Sequence, residues 1–195
     1  KNYKKLGEIV KLIDERNKDE KVQTLIGVSI EKCFIKSVAN TIGTDLSKYQ
    51  IIRKNDFACS LMQVSRDGKI PIACLKDYDE AIMSPAYYIF RIKNTDEVLP
   101  DYLSMWFMRS EFDREAAYIA VGGVRGSMPW EDFCNMELPI PDIKEQQKIV
   151  DAYNSITKRI QIKQKINENL EKTAQVLFEK YFPNIIDNGK NKFED

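Results

Sequence analysis

From Asp142 to Phe182 the chain contains neither glycine nor proline. A run of about 40 such residues spells one helix, roughly 60 Å long at 1.5 Å per residue. That is as long as a small domain is wide, so one end is expected to leave the globular part. The start is well marked. Leu138-Pro139-Ile140-Pro141 is an extended, helix-averse lead-in. Asp142 can cap the first turn, and Glu145 three residues on completes a D-x-x-E capping box. Pro183 and the polar tail after it, 184–195, end the helix.

The apolar spacing along this helix is that of a helix–helix seam. Ile149, Tyr153, Ile156 and Ile160 step by four, three and four, and Leu170, Ala174, Leu177 and Tyr181 resume the register. Between them the register puts two polar residues, Lys163 and Asn167, at seam positions. Polar residues inside a seam cost stability and can fix register and partner number. The candidate partner-binding residues are therefore Ile149, Tyr153, Ile156, Ile160, Lys163, Asn167, Leu170 and Leu177. The alternative is a helix lying along its own domain with a solvated middle. The basic cluster Lys158, Arg159, Lys163 and Lys165 is either a solvated face or a contact for phosphates or an acidic partner.

Composition narrows the function. The 195 residues are 43% hydrophobic, enough for one core plus an arm. Charged residues make up 31% at zero formal net charge, which excludes a generally basic coat, so any nucleic-acid contact is local. Histidine is absent, which removes Ser-His and Cys-His nucleophiles and the H-E-x-x-H metal site. Cys33, Cys59, Cys74 and Cys134 are too scattered for a zinc site and fit a reducing cytoplasm. No stretch approaches the about 18 apolar residues of a membrane span. No secretion signal is visible, and because the chain opens on Lys1 rather than Met an upstream segment stays open.

The first part of the chain is strand-like. Lys5–Ile13 reads as a strand entry and Asp14–Lys21 as a charged loop. Thr24–Ile30 and Cys33–Val38 are rich in Ile, Val and Phe, and a loop follows over Asn40–Ser47. Gln50–Arg53, Phe57–Met62, Ile70–Leu75 and Ala86–Ile92 continue as short strands, with Ser65–Lys69 as a hairpin-like loop. Pro100 opens a helix, Glu111–Ile119 a second, and Pro129–Phe133 a helical turn before a strand at Asn135–Ile140. The fold class expected is α+β: a curved, mostly antiparallel sheet or open barrel with short helices, then one long C-terminal coiled-coil helix. The divisions are 1–141, 142–183 and 184–195.

Two segments carry binding chemistry. In Gly122-Gly123-Val124-Arg125-Gly126-Ser127 the glycines permit close backbone approach, and Arg125 can reach a phosphate or a guanine edge. The bland alternative is a tight turn with a surface arginine. Between Arg53 and Lys76 five basic residues face two acids, with Ser60, Gln63 and Ser65 among them. An ordinary sheet with charged turns accounts for that pattern as well. Asp56 and Asp67 with Lys69 can be forced into a metal-nuclease pattern, although Gly68 puts Asp67 and Lys69 in a turn. No methyl-donor motif is present.

The passage Gly123-Val124-Arg125-Gly126-Ser127-Met128-Pro129-Trp130-Glu131-Asp132-Phe133, then Leu138-Pro139-Ile140-Pro141 and Glu145-Gln146-Gln147-Lys148-Ile149-Val150, resembles the end of a target recognition domain in type I restriction-modification specificity subunits. Lys5-Leu6-Gly7-Glu8-Ile9 and the Tyr49–Phe57 run are similar to that domain's early strands. The resemblance implies a reader of one half of a split double-stranded DNA site. It implies a helix that spaces domains and docks a methyltransferase subunit. Members usually carry two domains and two helices, so this chain is either a half-length subunit that pairs with itself or a piece of a longer one. The chain then binds no cofactor and catalyses nothing. S-adenosylmethionine, ATP and magnesium belong to the methyltransferase and restriction subunits. Within this resemblance the DNA-binding residues expected are Ser60, Gln63, Arg66, Lys69, Arg125 and Ser127, with Trp130 and Phe133 packing the arm's root. A coiled-coil adaptor with a globular head is the competing class.

Overall fold

The computed structural model describes residues 2–37 and 44–182, with Val124 described by its backbone alone. The Val38 end of the second expected strand, residues 40–43 of the expected loop, Pro183 and the tail 184–195 lie outside the described residues.

The chain opens with β1 (Tyr3–Lys5), α1 (Leu6–Ile9), β2 (Val10–Ile13), β3 (Ile26–Val28) and β4 (Phe34–Lys36). It continues through β5 (Gln50–Arg53), β6 (Phe57–Cys59), α2 (Val64–Asp67), β7 (Ile72–Cys74), β8 (Glu80–Met83) and β9 (Tyr88–Ile92). Helices α3 (Pro100–Phe107), α4 (Ser110–Ile119) and α5 (Trp130–Asn135) follow, then β10 (Glu137–Pro139) and α6 (Ile143–Tyr181). All named strand pairs are antiparallel. A four-stranded sheet runs β2-β9-β6-β7, and β1-β10, β3-β4 and β5-β8 pair separately. Among the described residues no sheet closes into a barrel. The α+β expectation with one long C-terminal helix holds. No described helix is long and apolar enough to cross a membrane.

The central sheet is buried on both faces, and strand alternation sorts its residues. Phe57, Cys59, Ile72, Tyr88, Phe90 and Ile92 join one core with Leu103, Phe107, Phe112 and Phe133 from the helices. Their neighbours Ala58, Ala73 and Ile89 join a second core with Ile26, Ile52 and Met83. Small residues on that face admit the β3, β5 and β8 layer. The first core is aromatic at its centre: Phe57 stacks on Phe90 at 5.3 Å, and Phe107 meets Phe57 edge-on at 5.7 Å. Such geometries add about 0.5–1.5 kcal/mol per pair beyond the area buried.

Two local expectations change. Lys5–Ile13 is not one strand, because α1 interrupts it. The chain leaves β10, its partner in β1, and must turn to pair with β9 in β2. Leu6 and Ile9 fill the core from that turn. Ser65–Lys69 is not a hairpin-like loop either. Val64 is buried and starts α2, and Gly68 at φ +65° caps it by donating its N–H to the Val64 carbonyl.

Helix α6 begins as its sequence specifies. Asp142 Oδ1 accepts from the N–H groups of Lys144 at 3.0 Å and Glu145 at 3.1 Å. Two of its residues, Gln146 and Val150, are buried. The Gln146 amide donates to the carbonyls of Glu97 and Pro141, both at 2.8 Å, and accepts from Leu99 N–H at 3.0 Å. Phe133 shares its buried core with Val150 at the start of α6, and Trp130 packs against that core. Their ring contacts are with each other, Tyr88, Phe90, Phe107 and Phe112. The chain divides into two compact units after Val150, so the first two turns of α6 belong with the globular unit. From residue 151 to 182 every residue is exposed except the half-buried Thr157.

Candidate nucleic-acid interface

The two binding segments found in the sequence pack against each other. After β6, Leu61 is buried, Met62 is exposed, and Gln63 takes the left-handed conformation at φ 63°. Arg66, one turn on, is exposed; its guanidinium contacts Gln63 Oε1 and donates to Asp67 Oδ1 at 2.9 Å. The glycine loop forms two tight turns, 120–122 and 124–126. It is tied to the first segment by the Met128 N–H, which donates to the Leu61 carbonyl at 2.9 Å. A side chain on Gly126 would collide with the Ser65 hydroxyl, and Gly126 itself sits at φ +75°. A side chain on Gly123 would collide with the Ser127 carbonyl. Both glycines are thus needed for the fit, one by conformation and contact, the other by contact.

Arg125 lies between them at φ 58°, exposed. A non-glycine residue held there stores backbone strain, a habit of functional loops. Among the described residues Arg125 has no ion-pair or hydrogen-bond partner. Its charge is uncommitted. Gln63, Arg66, Arg125 and Ser127 therefore belong to one neighbourhood.

Ser60 and Lys69 flank it separately. Ser60 lines a cleft of roughly 360 Å³ with Tyr49, Tyr87 and Ser84. Lys69 is exposed beside a smaller cleft that includes Ile30, Lys32 and Asp113. There Lys32, at the β3–β4 turn, inserts its ammonium against the Asp113 carboxylate at 2.7 Å, with the side chains 6% and 10% exposed. The same ammonium donates to the Phe107 carbonyl, and Asp113 Oδ1 also accepts from Ile70 N–H at 3.2 Å. Burial pushes Lys32 below the ordinary lysine value, against the opposing pull of Asp113. This latch joins the β3–β4 hairpin, the α3–α4 corner and the exit of α2.

The nuclease pattern has no geometry behind it. Asp56 is buried, and Arg91 grips its two oxygens at 2.6 and 2.9 Å. Arg53 N–H donates to the same carboxylate at 3.0 Å. Its lone pairs go to the fold, while Asp67 faces Arg66. Among the described residues no group of three acidic, cysteine or histidine side chains gathers as a metal site.

On α6 the seam residues are open. Ile149 is 36% exposed and borders a cleft with Tyr102, Pro139 and Pro141. Tyr153, Ile156, Ile160, Leu170 and Leu177 are exposed, as are Lys163 and Asn167. Ile162, Ile166 and Val176 add a second exposed apolar row, and Phe178 is exposed on the side of the first.

Sequence reasoning missed three features. Gln146 lies inside the quoted E-Q-Q-K-I-V run, but one polar residue in a polar helix carries no sign of burial. The Lys32–Asp113 pair is separated by 81 residues and leaves no local trace. Tyr118 and Val121 are large apolar side chains left exposed beside the glycine loop. The helical spacing held a clue there, because Phe112, Ala116 and Ala120 set the buried face and Tyr118 falls opposite.

Residues 1–172 match the sequence family described as type I restriction modification DNA specificity domain. The type I restriction enzyme MjaVIII specificity subunit of Methanocaldococcus jannaschii is 28% identical over 153 residues, covering 76% of this chain and 35% of that protein. The HindI specificity subunit of Haemophilus influenzae is 29% identical over 108 residues, covering 54% and 23%. A solved chain from a study of complex assembly and conformational transition in a type I R-M system is similar in fold, with TM-score 0.61 at 17% identity over 94% of this chain and 49% of that one. The HsdS subunit from Thermoanaerobacter tengcongensis gives TM-score 0.51 at 14% identity, covering 83% and 38%. The chain thus spans less than half of each of these proteins. The match over residues 1–172 nonetheless takes in the head and most of α6 together, and on it the chain belongs to the type I restriction modification DNA specificity domain family.

Proposed function

We propose that the chain is a DNA sequence-specificity component of a type I restriction-modification system, acting in the cytoplasm and reading one half of a bipartite double-stranded target. The single observation that carries this is the family match running through head and helix alike. The head, residues 1–141, makes the DNA contacts: Gln63, Arg66, Arg125 and Ser127 at the centre, Ser60 and Lys69 at the flanks. The uncommitted guanidinium of Arg125 suits a phosphate or a guanine edge. The helix, residues 142–183, docks the methyltransferase subunit and a second copy of the chain through Ile149, Tyr153, Ile156, Ile160, Lys163, Asn167, Leu170 and Leu177, with the tail 184–195 beyond it. The apolar rows exposed along α6 support a helical partner. The chain is non-catalytic in this reading. Methyl transfer, with S-adenosylmethionine, and ATP- and magnesium-dependent cleavage fall to the methyltransferase and restriction subunits.

Methylome mapping in cells carrying the chain and its methyltransferase tests this. A bipartite methylated motif is expected, palindromic if two copies pair. No motif overturns the reading. The same exposed rows also favour a helical adaptor that grips protein alone, and salt separates the two. DNA reading predicts affinity falling with log salt at a slope near 0.9 per phosphate neutralised. An adaptor shows no DNA affinity at any salt.

A further inference from the structure

Among the described residues of 1–150 the three most exposed large apolar side chains are Tyr118 at 81%, Val121 at 74% and Met62 at 56%. Single exposed apolar residues are unremarkable on any protein. These three are not scattered. Met62 directly precedes Gln63 and α2. Tyr118 lies in the last turn of α4, and Val121 in the first turn of the glycine loop. Those segments pack on one another: α2 on α4, and both turns of the loop on α2.

The frame beneath them is rigid. Val64, Ala116, Ala120 and Met128 are buried in the aromatic core just below. Tyr118 lies two residues from both Ala116 and Ala120, so it stands at roughly 200° from the buried face and has no core to enter. The packed segments also carry polar groups. Arg125 has no described partner, and both it and Gln63 are held in the left-handed conformation. Exposed apolar side chains on segments that also carry a guanidinium and an amide suit the edge of a base pair. Thymine offers a methyl group there, guanine two acceptors, and adenine a donor–acceptor pair.

We propose that Tyr118 and Val121 are specificity-determining residues, making apolar contact with base edges in the DNA half-site, thymine methyl groups above all, while Gln63 and Arg125 supply the neighbouring hydrogen bonds. This rests on the DNA-reading function proposed above. It adds two side chains that phosphate-and-polar reasoning passes over, and it assigns them base discrimination rather than general affinity.

The test uses the full chain co-expressed with its methyltransferase, comparing wild type with Tyr118→Ala and Val121→Ala. Both side chains are exposed, so thermal melting of each variant is expected to match wild type, and melting is recorded as a control. Failure of the wild type to give a bipartite motif overturns the DNA-reading function and this proposal with it. Given a wild-type motif, the expected result is relaxation or change at one or two adjacent base pairs of each half-site that this chain reads, symmetrically in both if the motif is palindromic, the rest of the motif being kept. A motif and methylation level unchanged in both variants overturn the proposal alone. If a variant loses methylation, two further measurements decide. Failure to copurify with the methyltransferase makes these side chains a protein-docking surface and overturns the proposal. With copurification intact, the assembly is measured on the wild-type site, on the same site with deoxyuridine replacing each thymine in turn, and on unrelated duplex. A loss of about tenfold on the wild-type site, with unrelated duplex unaffected, supports base contact. Loss of a wild-type deoxyuridine penalty in the Val121→Ala assembly supports it further. Equal loss on site and unrelated duplex, or no loss on either, overturns it.

Discussion

Gly126 and the Ser65 hydroxyl occupy adjoining space with no room for a methyl group between them. That contact joins the glycine loop to α2. Gly126→Ala adds a side chain at φ +75° and drives it into Ser65, so both strain and collision oppose it. A loss of about 1–3 kcal/mol is expected from strain of this kind. It is read from the urea midpoint. Gly68→Ala is the control: it shares the left-handed φ but has open space, so it carries the strain without the collision. The smaller loss belongs to Gly68→Ala.

Gln146 is fully buried with its amide satisfied on both sides. Gln146→Leu keeps the volume and strands three backbone groups. An unsatisfied buried group costs about 1–3 kcal/mol, so a loss near 3 kcal/mol is expected after partial relaxation. Gln146→Glu adds a pH signature. As a neutral acid it can still donate to the Glu97 carbonyl; ionised, it cannot. Burial raises its folded pKa above the unfolded value of about 4.3. Its stability contribution is therefore full below about pH 4.3 and is lost as pH rises through the higher folded pKa. Denaturant midpoints of this variant at pH 4, 5 and 7, against wild type, give the sign.

The Lys32–Asp113 pair is suited to a double-mutant cycle. Lys32→Met strands a carboxylate that is 10% exposed, and removing one partner of a buried pair costs about 3–5 kcal/mol. Asp113→Asn in the same chain removes the stranded charge and keeps an oxygen for the Ile70 N–H. The double variant is expected to recover most of the loss. Equal instability of the single and double variants contradicts this account.

The cysteines define an alkaline window. Burial pushes the Cys74 thiol up to about 12 and raises that of Cys59 as well. A folded pKa raised above the unfolded thiol value of about 8.5 means stability that is full below it and lost as pH rises towards 12. Lys32 acts in the opposite direction. Its folded pKa is lowered, so its contribution grows with pH below the ordinary lysine value of about 10.4. Replacing Lys32 with Met is expected to steepen the alkaline loss seen by fluorescence-monitored unfolding between pH 9 and 11. In the folded chain, iodoacetamide at pH 8 is expected to label exposed Cys33 first and leave Cys59 unmodified, as peptide mass mapping would show.

Local signals were legible and long-range ones were not. The cap at Asp142, the proline-led start of α3 and the unbroken length of α6 are short-range patterns that the local residues specify. α1 was missed because its turn is imposed by two distant strands, β10 and β9, that β1 and β2 must reach in succession. For the candidate interface, residue chemistry points to Gln63, Arg66 and Arg125. It could not say that their two segments adjoin, since that depends on Gly126 meeting Ser65 and on Met128 bonding Leu61. In the sequence Tyr118 reads as part of a helix and nothing more, because exposure is a property of the packed structure.

The hydrogen bond from Met128 to Leu61 makes two stretches of chain, some sixty residues apart in order, inherit each other's shape. Anyone re-targeting such a protein by transplanting loops must then move 61–69 and 120–128 as one cassette. A chimera that takes one stretch from this chain and the other from a relative inherits a mismatched floor, whatever letters its side chains could spell.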